Sequence, residues 1–142
     1  MTGKSFVDTN ILVYAHDRLS GLKHDRARAL VQRLWETGEG VLSTQVLQEF
    51  CVSLRRKVSN PVPTEKLRQL VSNYLTWQIV VNTPDSTLRA LEIEERYQIS
   101  FWDALILQAA ESGGAEVIYS EDLNAGQTYS GVRVLNPFVN TP

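Results

Sequence analysis

Four acids stand where an acid needs a reason: Asp8, Glu49, Asp103 and Asp122. Asp8 ends the apolar run that opens "KSFVDTNILVYAH" (residues 4–16), and Asp122 falls just beyond "EVIYS" (116–120), so both sit at the carboxyl ends of β-like runs. Glu49 lies in "TQVLQEFCVSL" (44–54), where Val46 and Val52 are each roughly 60° away around a helix axis. Asp103, in "SFWDALILQAAE" (100–111), has Ala110 roughly 20°, Leu107 roughly 40° and Ile106 roughly 60° away. An isolated charge on such a face costs several kcal/mol, so it must be neutral, paired or metal-bound. Carboxylates gathered in one pocket repel, by about 4 kcal/mol for a pair 4 Å apart at an effective dielectric of 20. A divalent cation relieves that repulsion. With no histidine or cysteine in the set, the donors point to Mg²⁺ or Mn²⁺ and not Zn²⁺. Such a cation serves phosphoryl transfer to water, activating the attacking water and stabilising the leaving oxygen while the carboxylates hold and orient.

Each acid has a plainer reading. Asp8 could cap a helix, Asp122 could begin a turn, Glu49 could be a solvated helix acid, and Asp103 could face the macrodipole of its own helix. The coincidence of all four, with no lysine or arginine near them in sequence except Arg55-Arg56-Lys57, favours one cluster.

The elements that must position these acids are legible in the hydrophobic pattern. Strands are expected at 4–7, 41–43, 78–81, 116–120 and 132–135, and they alternate with helices almost throughout. The first helix begins at Ile11 with Thr9 or Asn10 as its cap, and Ser20-Gly21 breaks it. The second spans about His24 to Glu36 and ends at Gly38 and Gly40. A third, capped by Thr44, carries Leu47, Phe50, Cys51, Leu54 and Val58 on one face and stops at Asn60-Pro61-Val62-Pro63. Thr64-Glu65 starts another as far as Tyr74, Pro84 opens one through Tyr97, and Phe101 to Ser112 forms the last before Gly113-Gly114. Alternation of this kind means an α/β fold: a three-layer α/β/α sandwich with a mostly parallel central sheet of four to five short strands. In such sheets ligands bind beyond the carboxyl ends of the strands, the edge where Asp8 and Asp122 fall.

At 142 residues the chain suits one domain, residues 1–142, with one active site. Its 43% hydrophobic and 21% charged content is ordinary for a globular protein, which excludes disorder and fibrous repeats. A net charge of −2 excludes a broad basic field, so any nucleic-acid contact must be local. The lone Cys51 forms no intrachain disulfide, nothing resembles a signal peptide, and no apolar run is long enough for a bilayer; a cytoplasmic protein is expected.

Together "FVDTNILV", Glu49 in its helix, "FWDALILQAA", "VIYSEDL" and the closing "VRVLNPF" resemble the PIN-domain nucleases, most of all the VapC-type toxins of toxin–antitoxin pairs. The resemblance covers nearly the whole chain. It implies an Mg²⁺- or Mn²⁺-dependent ribonuclease in which Asp8, Glu49, Asp103 and Asp122 form the acidic cluster. Asn10 or Thr9, together with Ser120, would support that cluster by hydrogen bonding. Ser120 stands where the family often has threonine and keeps the hydroxyl, and Glu121 leaves open whether Asp122 acts alone. The resemblance also implies an RNA substrate, a small antitoxin protein and a homodimer.

Other signals are secondary. Arg55, Arg56 and Lys57 could grip RNA phosphates, although a solvated helix end explains them as well. His16 and His24 are not spaced as a metal pair. Trp102 could stack on a base or pack in the core, Trp35 and Trp77 read as core, and Cys51 reads as a small buried hydrophobe. Tyr14, Leu47 and Phe50 are candidates for a partner-facing surface. Two rivals come from other classes. In a phosphatase or phosphotransferase Asp8 would be a covalent nucleophile, but that chemistry asks for a second acid two residues on, where Asn10 stands. In a non-catalytic RNA- or protein-binding module the four acids would serve no purpose.

Overall fold

The structure, a computed structural model, describes residues 3–56 and 60–139. In chain order the elements are β1 (Ser5–Val7), α1 (Thr9–His16), α2 (Leu22–Thr37), β2 (Gly40–Ser43), α3 (Thr44–Arg56), α4 (Thr64–Tyr74), β3 (Gln78–Val80), α5 (Pro84–Tyr97), α6 (Phe101–Ser112), β4 (Val117–Tyr119), β5 (Thr128–Tyr129) and β6 (Val132–Leu135), with a 3₁₀ turn at Arg18–Ser20. The sheet order is β3-β2-β1-β4-β6-β5, parallel throughout except where β5 returns antiparallel to β6. β1 lies between β2 and β4 and is buried along its whole length, as a parallel strand covered on both faces must be. Helices α1 to α4 pack together on one side, while α6 lies against β2, β3 and β6 with α5 upon it.

This is the mostly parallel, helix-flanked sheet expected from the alternation of patterns, with six strands in place of four to five. The added strand, β5, has only two residues, too few for a period to show. Several boundaries also move for local reasons. Asp8, not Thr9 or Asn10, caps α1: it is extended at φ −71°, ψ 158°, and its carboxylate accepts from Thr9 N. α2 starts at Leu22, two residues before His24, because the 3₁₀ turn takes up the chain reversal and Gly21 adopts φ 62°. At the start of α3 Ser43 Oγ accepts from Val46 N at 3.2 Å, whereas Thr44 Oγ1 is turned to Asn82 N. Gly38 ends α2 in the left-handed region at φ 72°, where a side chain would be strained. The expected place of Val58 on the α3 face lies outside the described residues.

The core joins Phe6 and Val7 of β1 to Ile11 and Leu12 of α1, Val41 and Leu42 of β2, Phe50 and Leu54 of α3, Ile118 of β4 and Val134 of β6. β1 runs into α1 with Asp8 as the only residue between them. Likewise β2 runs directly into α3. The carboxyl edge of the sheet is therefore a row of helix starts.

Candidate active site

Asp8 is placed by the sheet itself. Its N–H donates to Tyr119 O at 3.0 Å, extending the β1–β4 ladder by one step, so its side chain meets Ser120 at the end of β4. Ser120 Oγ donates to Asp8 Oδ2 at 2.7 Å, and Thr9 N donates to Oδ1 at 2.7 Å. Ser120 Oγ in turn accepts from Asp122 N at 3.2 Å and Leu123 N at 3.4 Å. One buried hydroxyl thus ties the first acid to the backbone that carries the last.

The remaining acids are fixed from α1, α3 and α6. Thr9 Oγ1 donates to Glu49 Oε1 at 2.6 Å, and Asn10 Nδ2 donates to Asp122 Oδ2 at 2.9 Å while Asn10 Oδ1 accepts from Glu121 N at 3.3 Å. The first turn of α1 therefore positions two carboxylates that lie far apart in the chain. Ser100 caps α6, its Oγ accepting from Asp103 N at 3.1 Å, which sets Asp103 in the opening turn of a helix otherwise buried from Ala104 to Ala110. Asp8, Glu49, Asp103 and Asp122 all line one groove of about 610 Å³ between α1, α3 and α6.

Among the described residues no lysine or arginine lines that groove. The electrostatics follow. Asp8, 5% exposed, has its pKa pushed from 3.8 to about 7, chiefly by loss of hydration, which outweighs the opposing Ser120 and Thr9 hydrogen bonds; repulsion from Asp122 and Glu49 adds a smaller upward push. Asp103 is raised as well, first by burial and then by Asp122 and Glu49. Glu121, by contrast, is neutralised: Lys23 pairs with its Oε2 and Tyr14 OH donates to its Oε1 at 2.9 Å. Uncompensated carboxylate oxygens with no nitrogen or sulfur donor suit a hard divalent cation. Among the described residues no three acidic, histidine or cysteine side chains converge as a complete cage. Mg²⁺, which keeps several waters and takes only one or two protein carboxylates, needs no such cage.

Other expected residues fall elsewhere. Arg55 donates to Thr64 Oγ1 at 2.6 Å, bridging α3 to α4, and neither it nor Arg56 lines the groove; Lys57 lies outside the described residues. Leu47 and Phe50 are buried, so they do not face a partner; Phe50 packs edge-on to His16 and Tyr74. Tyr14 does reach the groove wall. Cys51 is half-buried and not sealed in the core. Of the tryptophans Trp77 is buried at 9%, Trp35 is 38% exposed, and Trp102, at 64%, is no core residue: it stands on the groove rim with its ring edge-on to Phe101.

One groove residue escaped sequence reasoning. Gln45 is buried, and its Nε2 reaches Glu49 Oε2 at 3.3 Å and Trp102 O at 3.5 Å, linking α3 to α6. Two acceptors on that side fix the amide's orientation and leave Oε1 buried without a partner. The available signal was its spacing four residues before Glu49, on the same helical face. Lys23 gave no signal, lying 98 residues from Glu121 in sequence.

The sequence profile of the PIN domain matches residues 5–129, and the chain belongs to the PIN-domain family. Among solved structures it is similar to VapC20 of Mycobacterium tuberculosis, a sarcin-ricin loop cleaving toxin, with a TM-score of 0.63 and 22% identity over 84% of this chain and 90% of that one. A toxin–antitoxin complex from Klebsiella pneumoniae gives 0.68 and 19% over 94% and 98%, and FitAB bound to an IR36 DNA fragment gives 0.72 and 17% over 97% and 98%. At these identities the likeness is one of fold, the fold of the VapC-type toxins. No curated protein matches the sequence significantly.

Proposed function

We propose that this protein is a Mg²⁺- or Mn²⁺-dependent endoribonuclease, the toxin of a toxin–antitoxin pair, that hydrolyses RNA phosphodiester bonds in the groove between α1, α3 and α6. The observation that carries the reading is that Asp8, Glu49, Asp103 and Asp122 line one groove with no lysine or arginine among its described lining residues. A structural cluster of acids is ordinarily neutralised by the protein, whereas one left unneutralised is matched to a ligand that brings positive charge.

One or two of Asp8, Asp103, Glu49 and Asp122 would hold the ion directly, and the others would hold its waters. When bound, it supplies positive charge at the scissile phosphate and lowers the pKa of the attacking water. The chain's own residues do the rest. Ser120 and Thr9 N hold Asp8 in place, Thr9 Oγ1 and Gln45 Nε2 hold the two oxygens of Glu49, and Asn10 holds Asp122. These bonds fix the acids before substrate arrives, so little reorganisation is needed at the reaction. Trp102 on the rim offers a flat face to a base next to the cleaved bond. RNA as substrate draws support from the toxin that cleaves the sarcin-ricin loop, and a small antitoxin from the toxin–antitoxin complexes of the same fold. A homodimer completes the assembly we propose.

The aspartyl-phosphate reading finds less support. Both Asp8 oxygens are engaged, the residue is 95% buried, and among the described residues no lysine lines the groove to clamp a phosphate. The test is cleavage of structured RNA by purified protein in Mg²⁺, in Mn²⁺ and in EDTA, beside Asp8→Asn. Discrete fragments that need metal and vanish in the variant are expected. Cleavage that survives EDTA or the substitution would overturn the proposal.

A further inference from the structure

The acidic groove poses a difficulty for its own substrate. RNA is a polyanion, and among the described residues the walls that hold the carboxylates offer it neither lysine nor arginine. Something beyond the groove must hold the backbone, because phosphate contacts are what fix a nucleic acid's register on a protein.

A second concave surface, of about 850 Å³, begins where the acidic one ends. The two share Asp17, at the carboxyl-terminal end of α1. Arg18 follows it, Arg28 enters from α2 and Lys66 from α4, and all three are exposed and without an ion pair among the described residues. Asp17 is the sole acid on this surface, and its carboxylate is taken by Leu19 N and Ser20 Oγ. We propose that this second groove is a binding site for the phosphodiester backbone of single-stranded RNA, with Arg18, Arg28 and Lys66 as its phosphate contacts. The proposal rests on the nuclease reading for its choice of polyanion.

Geometry and charge support it. The two grooves share Asp17, and α1, which separates Asp8 from Asp17, spans about 12 Å, a distance that a few nucleotides of one strand cover. Cations on a concave surface focus their field, which attracts a polyanion where an isolated surface charge would not. Lys66 bears on a neighbour in the same groove: the pKa of His16 is lowered to about 4, first by burial and then by His24 and Lys66. Arg55 and Arg56, which the sequence offered either as phosphate contacts or as a solvated helix end, do not line the acidic groove, and Arg55 donates to Thr64 Oγ1 instead.

The test is binding, kept apart from hydrolysis by EDTA. The affinity of a short labelled single-stranded RNA for the protein is measured by anisotropy across a series of salt concentrations. Each phosphate contact on a single strand contributes about 0.7 to the slope of log K against log salt. Arg18→Gln/Arg28→Gln/Lys66→Gln should weaken binding at least about tenfold and reduce the slope by about 2, and Arg28→Gln alone by about 0.7. A control, Arg68→Gln/Arg96→Gln/Arg133→Gln, removes equal charge from other faces and should leave the slope unchanged. Equal melting temperatures verify that each variant is folded. An unchanged slope in the groove variant, or an equal fall in the control, would overturn the proposal. Metal-dependent cleavage by the unaltered protein separates the two readings: a slope difference without cleavage supports the groove and sinks the nuclease, and cleavage without a slope difference does the reverse.

Discussion

Helix α6 carries an acid near each end, and the two are treated in opposite ways. Near the carboxyl-terminal end, Glu111 sits in the fork of Arg89, whose Nε and Nη2 donate to its two oxygens at 2.8 Å each. In the opening turn, Asp103 faces a groove lined by four further carboxylates and, among the described residues, no lysine or arginine, and its pKa is raised by burial and by Asp122 and Glu49. The fold thus supplies a bidentate guanidinium partner where an acid is structural, and withholds one where the acids converge. What looks like poor electrostatics at one end of a helix is capacity held for something that arrives from outside.

That contrast can be broken most directly by activity. Asp103→Asn is expected to lower metal-dependent RNA cleavage by roughly 10²–10⁴-fold in kcat, whereas Glu111→Gln leaves it unchanged. Equal losses at the two ends would erase the distinction. Stability supplies the next largest effect. Asp8 binds its proton more tightly in the folded chain, with a pKa of about 7 against 3.8. The stability this lends is complete below pH 3.8 and is lost as pH rises to about 7, a swing on the order of 4 kcal/mol without metal. Metal-free Asp8→Asn should accordingly melt roughly 10 °C higher than the unaltered protein at pH 8, with the gap closing toward pH 4, and Mn²⁺ should stabilise only the unaltered protein. A variant that melts lower at both pH values would make Asp8 an ordinary cap.

Smaller effects sharpen the comparison. Ser120→Ala should cost about 10–100-fold in activity through loss of its hold on Asp8, and Ser120→Thr, which keeps the hydroxyl, should restore it. Failure of threonine to rescue would show that volume, not the hydrogen bond, matters there. Least of all, Glu111→Gln should lower stability by only about 0.5–1 kcal/mol in urea titration, since the pair with Arg89 is about one-third exposed.

The acids were legible in sequence because the signals are local: Phe6-Val7 before Asp8, Ile118-Tyr119 before Ser120, and helical spacing around Asp103. The sheet was legible for the same reason, down to the helix from Phe101 to Ser112. What escaped depends on partners far along the chain. Lys23 neutralises Glu121 and Gln45 bridges Glu49 to Trp102, contacts that span 98, 4 and 57 positions, of which only the 4-residue spacing within α3 leaves a trace. Trp102 misled because an aromatic at helical spacing reads as core, yet the opening turn of α6 emerges at the groove before the helix is buried. The cationic groove was invisible for a related reason: Arg18, Arg28 and Lys66 come from three separate segments, each of which taken alone is a solvated surface.

The junction at Asp8 has a consequence for how such a molecule can diversify. Between β1 and α1 there is a single residue, and between β2 and α3 none, so the centre of the groove contains no loop that an insertion could lengthen or a deletion trim. Tolerance for such change belongs to exposed connections away from packed backbone. In this chain such connections lie outside the acidic centre: the turn from Asp17 to Gly21, the stretch from Asn60 to Pro63 and the turn from Asn124 to Gln127. A lineage descending from this architecture inherits the chemistry as a fixed part and acquires new substrates by editing the margins.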